Sequence, residues 1–177
     1  MPGMELAFIP GMNRTASADW QGSVRTGRGK INTESGSLKE NPFSFDTRFG
    51  DQKGTNPEEL IGAALASCYS MALSAQLQKH KVQPEHVHTD VDVQMKQTDE
   101  TWGVGEIRIS TEVKAGELSS EELQSIAEET KRSCPIAKLL NAHMTVEARL
   151  ASGAGLTVQN RSDQNRSGDL GKSNAAH

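Results

Sequence analysis

The stretch TNPEELIGAALASCYSMALSAQL, residues 55–77, decides the fold. Thr55 or Asn56 serves as an N-cap, Pro57 takes the first helical position, and Glu58 and Glu59 sit beside the positive end of the helix dipole. From Leu60 to about Leu77 the segment is apolar and built on small residues such as Gly62, Ala63, Ala64, Ala66 and Ala72. Helical spacing gives Cys68, near its middle, the neighbours Leu60, Ala64, Leu65, Met71, Ala72 and Ala75 on one face.

Downstream, a second helix is expected from about Ser119 to Lys131, opened by a Ser-x-x-Glu capping box in Ser119 and Glu122, with a narrower apolar face. Between the helices, residues 87–97 place Val87, Val91, Val93 and Met95 on one alternating face. Residues 104–113 do the same with Val104, Ile107 and Ile109 in looser register, so the two segments form an antiparallel pair around a turn at Asp99 to Gly103. Upstream, 15–20, 23–31 and a segment around Ser37 and Leu38 read as strands of a β-meander separated by Gly-containing turns. Residues 1–12 are expected to be loosely held, although Leu6, Phe8 and Ile9 are able to dock on a partner surface. Residues 151–177, rich in Gly, Ser and Asn and without an aromatic, read as a flexible tail. The remaining 13–150 form one α+β domain.

Composition narrows the function. A chain of 177 residues buries roughly 70% of its unfolded surface and needs neither disulfide nor metal to fold. Its two cysteines, without a CxxC pair, exclude a disulfide framework and a four-ligand zinc site. A net charge of −4 with interspersed signs leaves no basic stripe for nucleic acid. The start MPGMELAFIPGMNRTAS has no signal-peptide pattern, and no stretch reads as a membrane span, so a cytoplasmic protein without membrane partner is expected. The sequons at Asn13, Asn160 and Asn165 then carry no meaning. His86 and His88 share strand spacing but lack an acidic third ligand, and read as solvated rather than metal-binding.

What chemistry remains lies with the thiols. Cys68 in an apolar helix is by itself a buried structural cysteine, since burial disfavours the thiolate unless a cation or several donors stand near. Arg48, in FSFDTRF (43–49), is a candidate cation: under strand alternation Phe43, Phe45 and Phe49 share one face and Arg48 takes the other. Taken alone, Arg48 reads more readily as a surface arginine on an edge strand. Cys134, in KRSCPIAK, precedes Pro135 as first residue of a short helix. It therefore occupies an N-cap that favours an anionic sulfur, with Lys131 and Arg132 adjacent. Two such thiols suffice for a peroxidase: one becomes a sulfenic acid, the other condenses with it to a disulfide that an external dithiol reduces.

TRFGDQKGTNPEELIGAALASCYSMALS followed by CPIAKLLNAHMTVEARL resembles the OsmC branch of the OsmC/Ohr family of organic hydroperoxide reductases, over about residues 13–150. The resemblance implies an OsmC-like α+β fold, with antiparallel sheets packed on two central helices in an intertwined homodimer. It implies Cys68 as peroxidatic cysteine, Cys134 as resolving cysteine, Arg48 as activating arginine and Glu58 as the glutamate that holds it. It further implies a preference for organic hydroperoxides, matched by an apolar pocket of Phe43, Phe45, Phe49, Leu65 and Met71, a dithiol reductant such as a lipoylated protein, and no cofactor. Gly27-Arg28-Gly29 is a faint candidate for the arginine loop of the Ohr branch. Glu58 and Cys68 stand ten residues apart on one helix, about 15 Å along its axis and roughly 80° around it. A site that uses both is more easily completed by a partner chain. The competing readings are a peroxide sensor that forms the same disulfide without turnover, and a binding module whose thiols are incidental.

Overall fold

Asn56 is the N-cap of the long helix, its Oδ1 accepting the Glu59 amide at 2.9 Å. The computed structural model describes residues 13–97 and 101–151, so residues 98–100, which include part of the expected turn at Asp99 to Gly103, and both terminal segments lie outside it. In chain order it contains β1 (Ala16–Gln21), β2 (Arg28–Thr33), β3 (Asn41–Ser44), α1 (Phe45–Phe49), α2 (Pro57–Lys79), β4 (Pro84–Gln97), β5 (Trp102–Ala115), α3 (Ser120–Ser133), α4 (Pro135–Leu139) and β6 (His143–Leu150).

Helix α2 buries Gly62, Leu65, Tyr69, Leu73, Gln76 and Leu77, a stripe at helical spacing that packs on β4, α3 and α4. The expected face was different: Ala64, Met71 and Ala75 are exposed, Met71 by 76%. Nearly every position from 60 to 77 is apolar or small, so the sequence offers little contrast from which to read the buried side. For the same reason α2 is, by length and composition alone, apolar enough to cross a membrane, with a mean hydropathy of 1.4 over its 18-residue window. The expectation of no such stretch is corrected. Only 33% of that window is buried within the chain, which leaves a flank of small residues, Ala63, Ala64, Ser67 and Ala75, open around Met71.

Strands β4, β5 and β6 form one sheet in that order. The pair β4–β5 is antiparallel, as expected, whereas β6 runs parallel to β5 because α3 and α4 carry the chain across between them. This sheet is therefore mixed rather than antiparallel. Its inner face joins Ile107, Ile109, Val113 and Val146 to Leu65, Leu73 and Leu77 of α2 and Leu123, Ile126 and Ala127 of α3. Ion pairs such as Arg108–Asp92, Lys114–Glu85 and Arg149–Glu112 link its strands on exposed or partly exposed side chains. The pairing jumps from Gln94↔Glu106 to Met95↔Val104, leaving Gly105 as the extra residue of a bulge. That shift explains why Val104 falls out of phase with Ile107 and Ile109.

The capping box of α3 forms as read. Ser119 Oγ accepts the Glu122 amide at 3.2 Å and Glu122 Oε2 accepts the Ser119 amide at 3.0 Å. These backbone and side-chain bonds with Ser119 hold the Glu122 carboxyl below its ordinary value. Ser119→Ala is expected to destabilise the fold by about 1 kcal/mol in urea titrations at neutral pH. Because the folded-state pKa is the lower one, the carboxylate's contribution is present above the ordinary carboxylate range and is lost as pH falls through the folded value. The difference between variant and parent should accordingly shrink in acid.

The N-terminal sheet has the order β1-β2-β3, all antiparallel. Two expectations are corrected here. Residues 23–27 and the segment around Ser37 and Leu38 are turns, and the third strand is Asn41–Ser44. FSFDTRF is not a strand beyond Ser44: α1 begins at Phe45, capped by Ser44, whose Oγ accepts the Thr47 amide at 3.2 Å while Thr47 Oγ1 accepts the Ser44 amide at 2.8 Å. The sheet is tied to α2 through Thr55, whose amide and hydroxyl both donate to the Pro42 carbonyl at 3.0 and 2.9 Å. Every residue of β1 is exposed.

Candidate active site

Cys68, in the middle of α2, and Cys134, between α3 and α4, are free thiols whose sulfurs lie 3.4 Å apart. No spacing rule connects positions 66 residues apart; packing of α2 against α3 and α4 does. Tyr69 supports that packing. The chain's one tyrosine is fully buried and donates its hydroxyl to the Ala127 carbonyl of α3 at 2.9 Å. Burial first, then the Glu128 carboxylate and Cys134, push its hydroxyl well above the ordinary tyrosine range. It remains a neutral donor, a structural role that its place beside Cys68 hinted at and that went unread.

Cys134 is the N-cap of α4 with Pro135 at the first helical position, as expected, but the electrostatic consequence differs. Burial pushes its thiol up. The amides of Ala137 and Ile136 draw it down in part without forming a cap hydrogen bond, and the neighbouring Cys68 raises it further. Nor does Lys131 serve the sulfur: its ammonium donates to the Met144 carbonyl at 3.1 Å and pairs with Glu128 at 2.8 Å. Desolvation outweighs the short helix, so the Cys134 thiol is pushed up rather than drawn towards the anion that the N-cap position suggests.

Arg48 and Glu58 meet within one chain. The guanidinium donates from Nη2 to Oε1 at 2.6 Å and from Nε to Oε1 and Oε2 at 3.1 and 3.2 Å, a fork that fixes its plane. The fork forms because α1 turns Arg48 towards the first turn of α2, which a strand reading of 43–49 missed. Arg48 also lies over the Phe49 ring at 5.0 Å. Phe49 in turn packs on Phe45 at 4.9 Å, as residues four apart on a helix allow, and on Trp102 of β5 at 5.9 Å. Since Cys68 lies ten residues beyond Glu58 on the same helix, this ion pair is about 15 Å along α2 from its own chain's thiol.

The expected apolar pocket is divided. Phe43, Phe45 and Phe49 line a cavity of about 140 Å³ together with Trp20, Val24 and Arg48. Leu65 is fully buried in the core, and Met71 borders a separate open groove with Pro84 and His86. Trp20, whose ring packs on Phe43 at 5.4 Å, and Trp102 are the aromatic residues that the sequence reading overlooked. The glycines around Arg28 have a packing reason: a Cβ on Gly29 would strike the Phe43 ring and one on Gly27 the Trp20 ring. Arg28 itself lies exposed on β2, on the cavity bordered by Arg25 and Asp46. His88 sits 3.4 Å from Asp90 and His80 3.6 Å from Glu129. Among the described residues no three His, Cys, Asp or Glu side chains cluster as metal ligands would.

An α+β scaffold that brings two unbonded cysteines into contact defines a dithiol protein. Comparison with known proteins makes the class specific. The family described as OsmC-like protein matches residues 50–149. Peroxiredoxin OsmC of Escherichia coli K12 is 37% identical over 141 residues, covering 80% of this chain and 99% of the relative. The organic hydroperoxide resistance protein OhrA of Bacillus subtilis is 28% identical over 56% of this chain and 70% of its own length. Among solved structures, an OsmC-like protein of unknown function from Vibrio cholerae superposes with a TM-score of 0.62 at 16% identity, covering 78% of this chain and 99% of that one. OhrB of Bacillus subtilis does so with a TM-score of 0.55 at 23% identity, covering 76% and 98%. The chain belongs to the OsmC family.

Proposed function

We propose that this protein is a thiol-dependent peroxidase that reduces organic hydroperoxides to alcohols in defence against oxidative or osmotic stress. The observation that carries the reading is the pair of free sulfurs 3.4 Å apart, one half-exposed and one buried. The Cys68 thiolate attacks the terminal peroxide oxygen; an S–O bond forms, the O–O bond breaks, and the departing alkoxide takes a proton to become the alcohol. The Cys134 sulfur then displaces water from the sulfenic acid, giving a disulfide that a dithiol, such as the lipoyl group of a protein, reduces. A protonated Cys134 suits the second role, since it does not compete for peroxide.

The cation for Cys68 comes in this reading from a second subunit. Arg48, clamped by Glu58, is held too far along α2 to serve its own thiol, and in a homodimer it would serve the partner subunit's thiol. An intertwined homodimer also gives a use to the open flank of α2 around Met71 and to the exposed strand β1. The aromatic cavity of Phe43, Phe45 and Phe49 then borders the thiols of the partner subunit and receives the hydroperoxide's apolar group. The reductive chemistry fits the cytoplasm, where free thiols persist.

Steady-state turnover tests the reading. With cumene hydroperoxide and dihydrolipoamide the protein is expected to consume many equivalents of peroxide per subunit. Consumption that stops near one equivalent would make it a sensor, and none at all would leave the thiols incidental.

A further inference from the structure

The two sulfurs differ in access in a way that an assembly is unable to reverse. Cys134 is 0% exposed within a single chain, enclosed by α2, the end of α3 and Ala137 of α4, whereas Cys68 is only partly buried. Packing of another subunit adds cover and removes none, so Cys134 stays inaccessible in monomer and dimer alike. Oxidation changes this little: the sulfurs must close from 3.4 Å to about 2.0 Å, a movement smaller than one atomic radius.

Thiol–disulfide exchange requires the incoming sulfur to approach along the line of the S–S bond, from the far side of the sulfur it attacks. For Cys134 that far side is the protein interior. Cys68, by contrast, keeps part of its surface open to an incoming thiol.

We propose that the reductant regenerates the disulfide by attacking Cys68 alone, so that the mixed disulfide forms on Cys68 and peroxide and reductant use the same side of one residue. This rests on the peroxidase reading above. In the first step the reductant's thiolate bonds to Cys68, the S–S bond breaks, and its electron pair leaves with Cys134, which takes up a proton. In the second step the reductant's other thiol attacks its own bound sulfur, releases Cys68 as a thiolate and leaves as a disulfide. Burial of Cys134 makes it a poorer leaving group than an exposed thiol, but that slows the exchange without opening a path to the other sulfur.

Oxidising the parent protein with diamide forms the disulfide without any peroxide, which separates this test from peroxidase activity. The oxidised protein is then exposed briefly to 2-mercaptoethanol, quenched in acid, labelled with N-ethylmaleimide under denaturing conditions and mapped by tryptic mass spectrometry. The 2-mercaptoethanol adduct is expected on the peptide of Cys68 and the maleimide on that of Cys134, in about tenfold excess or more over the reverse pattern. Adducts mainly on Cys134 overturn the proposal even if the enzyme turns over. Should the adduct be too short-lived to map, the reduced Cys68→Ser variant decides. Its Cys134 is expected to react with 5,5′-dithiobis(2-nitrobenzoate) at least about a hundredfold more slowly when folded than in urea, and equal rates overturn the proposal. If diamide closes no intramolecular disulfide, the paired-thiol mechanism itself fails and this inference with it.

Discussion

Cys68→Ser is expected to abolish hydroperoxide consumption, and Cys134→Ser to retain one fast oxidation per subunit and then stall. The asymmetry follows from the site. Cys68 is partly exposed, whereas Cys134 has no surface and a thiol that burial pushes up. Without Cys134 the sulfenic acid has no resolving partner 3.4 Å away, and excess peroxide drives it to the sulfinic state. Rapid mixing with one equivalent of cumene hydroperoxide, followed by dimedone labelling and mass spectrometry, reads both outcomes. A Cys134 variant that loses the first oxidation while the Cys68 variant keeps it reverses the assignment.

Arg48→Ala is expected to slow peroxide reduction by about a hundredfold, the cost of deleting one charged donor aimed at a reacting anion, while leaving the fold intact. Arg48 is partly exposed and lies outside the hydrophobic core, and the Glu58 carboxylate it leaves behind keeps 14% of its surface open to water. Alkylation of Cys68 at neutral pH should slow in parallel, and an unchanged rate would remove Arg48 from the mechanism. Mixing variants then tests which chain supplies the group. A Cys68→Ser subunit refolded with an Arg48→Ala subunit gives heterodimers in which, if arginine acts across the dimer, one site lacks both groups and the other has both. With random pairing about half the dimers are mixed, so activity should recover to roughly a quarter of the parent. Heterodimers confirmed by mass spectrometry that show no recovery would place Arg48 in its own chain's site. Glu58→Ala should behave as a weaker version of Arg48→Ala, because it loosens the guanidinium without deleting it.

Local signals were read reliably where the physics is local. Asn56 and Pro57 mark the start of α2, Ser119 and Glu122 the capping box of α3, and Pro135 the start of α4, because each cap is a bond between neighbours in the chain. The same kind of signal was present at Ser44 and Thr47 and was overridden by the apolar alternation of 43–49, which cost the correct geometry of Phe45, Arg48 and Phe49. The buried side of α2 was not legible, since a helix of small apolar residues carries no contrast between its faces. The parallel course of β6 was not legible either, because strand direction depends on how α3 and α4 cross the sheet rather than on any residue of β6.

By itself the sequence determined which residues are candidates for the chemistry and how they are spaced along their elements: two cysteines, an arginine beside phenylalanines, and a glutamate ten residues ahead of Cys68. Only the tertiary structure decided that the cysteines touch, that Arg48 is clamped by Glu58, and that burial pushes the Cys134 thiol up rather than down. Spacing along one helix is set by a fixed rise and turn per residue. Contact between distant segments, and the desolvation that sets a buried thiol's charge, depend on how the whole chain packs.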